Sequence, residues 1–415
     1  MNILRIGESE VPVFKRNIPL KQILRSKSIL LLGPRQTGKS TLLKATFPNA
    51  LLFDLLNNKT FRSIAENFET FSLTVERYLR QQKNLEGATS TVIIDEIQRL
   101  PELLNSIHLL IEEHKEARFV LTGSSARKLR RKGTNLLGGR AYLQKMHPIC
   151  SAELSSWPDA GKSWQDLIAI SALPAILTSA DPELEFQGYC DLYLREEIEV
   201  EAKIKNLGEF SRFLTVAAGN NGQQIVFEKV GARAGISAKM AQAWFQILED
   251  TLFGQLLPTF KETQKREPVS SPKFYFFDAG LARFLQNRKE VPIFEDGSDL
   301  ECFILQEINC WCDYQVNRPA VSYWRTKSKA EVDFIISKGK RHIAIEVKTT
   351  RRLSEHDFSS LKLLAEEESL SIKRMLVSPW VLSHDRKDGI EVVSVDDFLE
   401  LLWKGKLFDE RTKYL

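Results

Sequence analysis

The stretch SILLLGPRQTGKSTLLKATF, residues 28–47, constrains the fold more strongly than any other part of the chain. An apolar run leads into a glycine-containing loop, which leads into a segment whose apolar residues recur with helical spacing. This order predicts strand, loop and helix, with backbone N–H groups closing around phosphates at the helix N terminus. The residues predicted to bind ATP as a cofactor are Gly33, Pro34, Arg35, Gln36, Thr37, Gly38, Lys39, Ser40 and Thr41.

The side chains at the end of this loop and on a second strand predict hydrolysis as well as binding. Lys39 would reach the β- and γ-phosphates, and Ser40 would hold Mg²⁺. The segment STVIIDEIQRLPELL reads as a buried strand that ends in Asp95 and Glu96. Asp95 would hold the hydration shell of the Mg²⁺, and Glu96 would polarise the attacking water as a catalytic residue. The alternative is that the acidic pair only caps a helix.

Two further catalytic candidates follow the third predicted strand, ARFVLTGSS. Ser124 could sense the γ-phosphate or align the attacking water, or it could simply belong to a turn and helix cap. Arg140, after two glycines, could contact the γ-phosphate in its own subunit or in a neighbouring one. An ordinary surface arginine fits the pattern of Arg140 equally well.

Length and composition divide the chain and bound its location. At 415 residues it exceeds what one hydrophobic core supports, and we predict three domains, residues 1–150, 151–270 and 271–415. The N terminus lacks the apolar block of a signal peptide, and no apolar run is long enough for a membrane span, so a cytoplasmic protein without membrane contact is expected. The formal net charge of +4 is too small to indicate nucleic-acid binding by itself. Basic residues are instead concentrated locally, in RKLRRK and around residues 337–352.

The middle of the chain is predicted to be mainly helical. Residues 225–260 read as helix, glycine-containing turn, a second helix capped by Ser237, and a strand, an order that suggests a winged helix-turn-helix. The second helix would present Lys239, Gln242 and Gln246 to a DNA groove. Winged helices also serve as protein-docking or scaffold units, so this pattern alone does not establish DNA binding.

The segment AEVDFIISKGKRHIAIEVKTT, residues 330–350, predicts two strands joined by a tight turn. Glu346 and Lys348 would share one face of their strand, with Asp333 on the adjacent strand. A preceding helix offers Glu301 or, as second choice, Glu307. Carboxylates in this arrangement can hold a divalent cation, a second Mg²⁺ or Mn²⁺, against a phosphodiester. The alternative is a cross-strand ion pair that needs no metal.

As an ordered set, GPRQTGKST, VIIDEIQRLP, LTGSSA, LLGGRA, YLREEI, FYFFDAGLARFL and YWRTKSKAEVDFII resemble the bacterial and archaeal AAA-type ATPases with a C-terminal domain of unknown function. The resemblance covers nearly the whole chain and implies an AAA-type P-loop ATPase core. The C-terminal motif is similar to the restriction-endonuclease-like PD-(D/E)xK nucleases. Val332 stands where that motif has proline, a departure that leaves the chemistry open.

The resulting expectation is an α/β fold with three parts: a P-loop ATPase domain, a helical and winged-helix region, and a restriction-endonuclease-like domain. In the C-terminal part, Asp333, Glu346 and Lys348 are the predicted catalytic residues, and Glu301, Asp333 and Glu346 the predicted metal ligands. DNA is the expected partner, and a ring of identical subunits is a candidate assembly. Two alternatives stay open, a DNA motor that has lost cleavage and a nucleotide-dependent switch for a protein partner.

Overall fold

The computed structural model describes residues 3–6, 9–12, 14–82, 90–125, 137–156, 161–201, 204, 206–263, 268–288, 290–366, 371–382 and 385–409. The basic segment RKLRRK lies outside these residues. The chain folds into two compact units. The first comprises Met1–Pro148, Ser156–Asp159 and Asp250–Leu252, and the second comprises Ile149–Ser155, Ala160–Glu249 and Phe253–Leu415. Within the described residues no helix is both long and apolar enough to cross a bilayer.

The first unit is a parallel sheet flanked by helices. Its strands are β1 (Ile3–Ile6), β2 (Ser9–Pro12), β3 (Ser28–Leu32), β4 (Leu51–Asp54), β5 (Thr91–Asp95), β6 (Arg118–Gly123) and β7 (Ala141–Lys145). Its helices are α1 (Leu20–Leu24), α2 (Lys39–Thr46), α3 (Asn58–Glu66), α4 (Phe68–Gln82) and α5 (Leu103–Glu113), with a 3₁₀ turn at Ile97–Arg99. Strands β1 and β2 form a separate antiparallel pair.

The five remaining strands of this unit lie in the order β4-β5-β6-β3-β7, and all neighbours are parallel. Strands β3 and β5 are buried at every residue, as expected for parallel strands that helices cover on both faces. Phe71, Val75 and Ile107 from the flanking helices pack against Leu30 and Ile94 of the sheet. This order places β3 and β5 on either side of β6, so the loops after these three strands emerge at one edge.

The second unit begins with helices. They are α6 (Ser151–Leu154), α7 (Trp164–Ala169), α8 (Pro174–Leu177), α9 (Pro182–Tyr193), a π-helical segment (Leu194–Glu201), α10 (Leu207–Ala218), α11 (Phe227–Ala234) and α12 (Ala238–Asp250). Gly235 adopts φ 71° between α11 and α12, and Met240 N–H donates to Ser237 Oγ at 3.2 Å. The helix, turn and helix therefore lie where the sequence predicts them. Lys239, Gln242 and Gln246 are exposed on α12.

A hairpin links the helices to the rest of this unit. Its strands, β9 (Gly254–Leu257) and β10 (Lys273–Phe276), pair in antiparallel register, and β8 (Gln223–Gln224) lies beside β10. Beyond β9 and before β10 the chain pairs with strand β11 (Ala320–Arg325): Phe260 N donates to Tyr323 O at 2.6 Å, and Val269 N to Arg325 O at 3.0 Å. Paired strands therefore lie on both sides of the predicted division near residue 270, and that division stays a proposal.

The remaining elements form a mixed six-stranded sheet with helices. These elements are α13 (Ala279–Leu285), α14 (Gly297–Tyr314), β11, β12 (Glu331–Lys338), β13 (Arg341–Val347), a 3₁₀ turn (Glu355–Phe358), α15 (Ser359–Leu364), β14 (Ser371–Ser378), β15 (Asp385–Lys387), β16 (Ile390–Ser394) and α16 (Val395–Trp403). The strand order is β11-β12-β13-β14-β16-β15. The first three strands are antiparallel, β13, β14 and β16 are parallel, and β15 runs antiparallel to β16.

Candidate nucleotide site and C-terminal acidic cluster

The phosphate loop leaves β3 at Gly33 in a space that excludes a side chain. Gly33 N–H donates to Gly123 O at 3.2 Å, and a Cβ built on Gly33 would lie 2.4 Å from Met146 O. The loop then turns through two residues with positive φ, Gln36 at 60° and Gly38 at 87°, before α2 begins. Pro34, Arg35, Thr37, Ser40 and Thr41, the other predicted nucleotide-binding residues, lie on this loop and on the first turn of α2.

The ammonium group of Lys39 is held by the loop itself. Lys39 Nζ donates to Gly33 O and to Pro34 O, both at 2.8 Å, and the side chain is buried. Thr37 Oγ1 donates to the same Pro34 carbonyl at 2.9 Å. These contacts keep a positive charge inside the loop, where phosphate oxygens could replace the two carbonyls as its acceptors.

Asp95 and Glu96 lie at the carboxyl end of β5, the same edge of the sheet from which the phosphate loop emerges. The hydroxyl of Thr122 on β6 donates to Asp95 Oδ1 and accepts from the backbone N–H of Glu96 at 3.0 Å. Asp95 is buried, and Glu96 adopts φ 61°, which is uncommon for a residue with a side chain. The strand order thus brings the predicted Mg²⁺ ligand and the predicted base to one edge with Lys39.

Gln98 is a residue of this site that sequence reasoning missed. It is almost fully buried, and its side-chain amide donates to the carboxylate of Glu96 and to Ser124 Oγ, the latter at 3.0 Å. Gln98 therefore connects the predicted base to the predicted sensor. The only signal in the sequence is its place in the segment DEIQ, three residues after Asp95, where the chain turns back toward the sheet edge.

Arg140 lies on the surface of the first unit in an ion pair with Glu112 of α5. It also donates to Gly138 O at 3.1 Å. The hydrogen bond from Arg140, reinforced by Lys115, lowers the pKa of Glu112 to about 2. In this conformation the guanidinium is engaged with a surface carboxylate.

A hollow of about 780 Å³ lies beside α2, on the side formed by the segment before β3. Arg16, Ile18 and Leu20 line it from that segment, and Leu42 and Thr46 line it from α2. Arg16 is fixed there, because its guanidinium donates to Thr37 O of the phosphate loop at 2.8 Å and to Pro148 O at 2.9 Å. The hollow is large enough for a nucleoside. Its lining residues carry no motif, so the sequence alone gave no indication of it.

The C-terminal carboxylates surround a lysine that was not among the predicted site residues. Lys273 Nζ lies 2.5 Å from Glu331 Oε1, 3.2 Å from Asp333 Oδ1 and 3.6 Å from Glu301 Oε2, and its side chain is 3% exposed. The hydroxyl of Tyr275, on the same strand β10, donates to Glu301 Oε2 at 2.8 Å. Burial, together with the nearby charge of Asp333, raises the pKa of Glu301 above its usual value, although Lys273 opposes the effect.

Glu346 and Lys348 pair with each other at the end of β13, where the sequence predicts only that they share one face of the strand. Lys348 Nζ lies 2.5 Å from Glu346 Oε1, while Glu346 Oε2 is buried without a hydrogen-bond partner. Burial and the proximity of Asp333 raise the pKa of Glu346, and Lys348 opposes this rise. The carboxylate of Asp333 is also held by the backbone of β13, because Val347 N–H donates to Asp333 Oδ2 at 2.9 Å. Asp333, Glu346 and Lys348 are therefore one cluster.

The predicted metal ligands Glu301, Asp333 and Glu346 do not fit a divalent cation in this arrangement. In the part of the chain that the structure describes, Glu76, Glu113 and His114 form the one group of three such side chains whose ligand atoms all lie within 4.8 Å of one another. The ligand atoms of the three C-terminal carboxylates are farther apart than this. The ammonium group of Lys273 contacts two of the carboxylates, those of Glu301 and Asp333.

Glu307, the second candidate ligand, belongs to a different part of the second unit. Its carboxylate accepts from Ser151 N and Ser151 Oγ, both at 2.7 Å, and from Trp403 Nε1 at 2.7 Å. The residue is fully buried, and this burial raises its pKa to about 7 in spite of those hydrogen bonds. Of the two glutamates, only Glu301 lies at the acidic cluster.

The position of Glu307 gives a prediction for the pH dependence of stability. Because its pKa is about 7 in the folded chain and near 4.5 when exposed, the folded state holds a proton that the unfolded state releases. The associated stabilisation is present below about pH 4.5 and is lost as the pH rises through 7, an effect of about 3 kcal/mol. The Glu307→Gln variant should therefore lose less unfolding free energy than the wild type between pH 5 and pH 8, measured by urea unfolding. Equal pH profiles for the two proteins would contradict this.

The basic residues near the cluster separate into two groups that the sequence did not distinguish. Lys338, Lys340 and Arg341 are exposed at the β12–β13 turn, the end of the strands away from Glu346. Arg351 and Arg352 are exposed just after Lys348, at the same end as the cluster. The guanidinium of Arg351 lies 4.9 Å from the ring centroid of Trp380, whose Nε1 donates to Thr349 O at 2.7 Å.

Comparisons with known proteins match the chain in three segments. Residues 25–155 match an AAA domain. Residues 161–291 match a domain of unknown function (DUF8612), and residues 296–398 match another (DUF4143). These segments differ from the predicted bounds 1–150, 151–270 and 271–415 mainly at the second boundary, which stays a proposal.

Similar proteins include an uncharacterized protein of Mycobacterium bovis and one of Mycobacterium tuberculosis. Each is 26% identical over 338 residues, which cover 79% of this chain and 71% of the relative. A crystal structure of protein VC1899 from Vibrio cholerae matches 91% of this chain and 97% of that chain at 13% identity, with a TM-score of 0.22. The chain thus carries an AAA domain at its N terminus, followed by two regions that match domains of unknown function.

Proposed function

We propose that this protein hydrolyses ATP at its N-terminal site and uses the cycle to act on DNA through its second unit. The observation that carries the first part is the convergence of the phosphate loop, Asp95 and Glu96 at one edge of a parallel sheet. Lys39 would neutralise the β- and γ-phosphates, and the hollow beside α2 would receive the nucleoside.

The residues at this edge suit Mg²⁺ and an attacking water. Hydroxyl and carboxylate oxygens are the ligands that Mg²⁺ accepts, and Ser40 and Asp95 supply one of each. When bound, the ion neutralises charge that develops on the phosphates. Glu96 would accept the proton of the water, while the side-chain amide of Gln98, which also donates to Ser124 Oγ, holds the Glu96 carboxylate in place. Arg140 would contact the γ-phosphate only after its ion pair with Glu112 is broken. In a ring of identical subunits, the γ-phosphate that it contacts could be that of a neighbouring subunit.

Three features of the second unit support DNA as its partner. First, Arg351 and Arg352 place exposed positive charge just after β13, as contacts to a phosphate backbone require. Second, the Trp380 ring beside Arg351 offers a stacking surface for a base. Third, the helix, turn, helix and hairpin order of α11, α12, β9 and β10 suits a winged helix, and the sheet order suits a restriction-endonuclease-like core.

DNA binding should depend on the arginines at the cluster. The double variant Arg351→Gln/Arg352→Gln is expected to weaken binding of labelled single-stranded, duplex and four-way-junction DNA. It should also reduce the slope of log affinity against log salt by about 2 on duplex DNA, since each lost phosphate contact removes about 0.9. The matched control, Lys338→Gln/Lys340→Gln, changes charge equally at the far end of the strands and should leave the slope unchanged.

The same experiment separates the alternatives. With Mg²⁺ or Mn²⁺ and with or without ATP, the DNA is expected to remain intact, because the acidic cluster does not fit a metal. Cleavage that disappears in the Asp333→Ala variant would establish a nuclease instead. Binding that is absent, or that is independent of salt, would contradict the DNA proposal and favour a nucleotide-dependent switch for a protein partner.

A further inference from the structure

The acidic cluster of the second unit is built around a cation that the protein itself supplies. The Lys273 ammonium lies within 3.6 Å of one oxygen from each of Glu301, Glu331 and Asp333. Three carboxylates therefore share one ammonium group, whose side chain is only 3% exposed.

Lys273 comes from outside the six-stranded sheet that carries two of these carboxylates. It is the first residue of β10, whose hairpin is joined to the sheet through the pairing of its flanks with β11. Glu331 and Asp333 project from β12, and Glu301 from α14. The ammonium group of Lys273 lies 5.6 Å from the ring centroid of Tyr323, a residue of β11. The hairpin thus delivers one ammonium into an acidic recess formed by other elements.

The recess has more acceptor capacity than Lys273 uses. Glu346 is 7% exposed on its side chain, and its Oε2 has no hydrogen-bond partner. A buried carboxylate oxygen without a partner is costly and indicates a position where a cation or donor can bind. Glu331 is partly neutralised by Arg325, at 2.5 Å, and Glu346 by Lys348. The carboxylates of Glu301 and Asp333 both contact Lys273, at 3.6 and 3.2 Å.

We propose that the Lys273 ammonium takes the place of a divalent cation, so that Glu301, Asp333 and Glu346 bind no such ion in the wild-type protein, and that removing Lys273 lets these carboxylates approach one another and bind one. An ammonium balances carboxylate charge but cannot lower the pKa of a coordinated water, so it holds the recess together without supplying a nucleophile. This inference rests on the proposed function in one respect: if the second unit binds DNA, the lysine explains why the C-terminal cluster contacts DNA without cutting it.

The test is metal uptake by the full-length Lys273→Met variant, without nucleotide or DNA. The protein is first stripped with a chelator and then titrated with Mn²⁺, and free Mn²⁺ is followed by electron paramagnetic resonance. The variant is expected to bind one more equivalent of Mn²⁺ than the wild type. Its melting temperature should be roughly 5–10 °C lower than that of the wild type without metal, and Mn²⁺ should restore most of the difference.

Two matched variants assign the extra equivalent. In Lys273→Met/Asp333→Asn it should disappear, because one ligand is lost. In Lys273→Arg the positive charge remains, so binding should equal that of the wild type. Lys273→Gln replaces the methionine variant if the latter does not fold. The proposal is overturned if neither Lys273→Met nor Lys273→Gln binds more Mn²⁺ than the wild type. It is also overturned if the wild-type protein binds an equivalent of Mn²⁺ that the Asp333→Asn variant does not bind. Neither outcome depends on whether the protein binds DNA.

Discussion

Replacing Glu96 by glutamine is expected to reduce ATP turnover by about 10²–10⁴-fold while ATP binding is retained. The reason is local: Glu96 follows β5 directly, beside Asp95, and its backbone N–H and its side chain are both held, by Thr122 and by Gln98. Glutamine has nearly the same shape but cannot accept a proton from the attacking water. Steady-state phosphate release measures the rate, and a fluorescent ATP analogue measures binding.

The matched control for this variant is Glu113→Gln, which makes the same change at an exposed position on α5. It should leave turnover unchanged. Lys39→Ala provides the other comparison, because it removes the charge that is proposed to contact the phosphates and should weaken binding as well as turnover. If Glu96→Gln retained more than half of the wild-type rate, Glu96 could not be the base, and the role would have to pass to another group at the sheet edge.

A loss of stability of about 3–5 kcal/mol is expected when Arg283 is replaced by methionine. Arg283 is buried, and its guanidinium lies 2.5 Å from Asp299 Oδ2, a carboxylate that is 1% exposed. The same guanidinium donates to the carbonyls of Arg288 and Val291, at 3.0 and 2.5 Å. With methionine at position 283, the buried Asp299 carboxylate would keep only Arg288, at 3.4 Å, as a cationic partner.

Urea unfolding of Arg283→Met beside Arg288→Met measures this difference. Arg288 is more exposed, so its replacement should cost roughly 1 kcal/mol or less. Adding Asp299→Asn to Arg283→Met removes the unpaired charge and should recover part of the stability. Because Asp299 lies on α14 two residues before Glu301, the double variant also tests whether this ion pair positions the acidic cluster. A cost below 1 kcal/mol for Arg283→Met would show that the pair contributes little.

The parts of the sites that the sequence predicted are those set by local pattern. The phosphate loop follows from the spacing of Gly33, Gly38 and Lys39, and the meeting of Asp95 with the loop follows from the rule that parallel strands end at one edge. Asp333 and Glu346 come together because a tight turn fixes the register of their strands. In each case the residues that meet are near one another in sequence or are placed by a regular element.

The choice between Glu301 and Glu307 could not be made from the sequence. Six residues along a helix correspond to about 240°, so the two glutamates lie on different sides of α14, and only tertiary contacts tell which side faces the cluster. Tyr275 and Lys273 meet Glu301, while Ser151 and Trp403 meet Glu307.

Lys273 was missed for the same physical reason. It lies 60 residues before Asp333, on a strand outside the six-stranded sheet, and only the hairpin pairing with β11 brings it to the carboxylates. Gln98 was missed because a buried glutamine carries no motif. Its role becomes visible only when Glu96 and Ser124, from neighbouring strands, are seen on its two sides.

Coupling of ATP hydrolysis to DNA is tested by the rate of Mg²⁺-dependent ATP hydrolysis by the full-length protein as DNA is added, with Lys39→Ala as the blank. We expect hydrolysis that is lost in Lys39→Ala, that rises with added DNA, and that responds less to DNA in Arg351→Gln/Arg352→Gln. A rate equal to the blank would contradict the ATPase assignment. A rate above the blank that no form of DNA changes would contradict the coupling to DNA and leave a protein partner as the target of the nucleotide cycle.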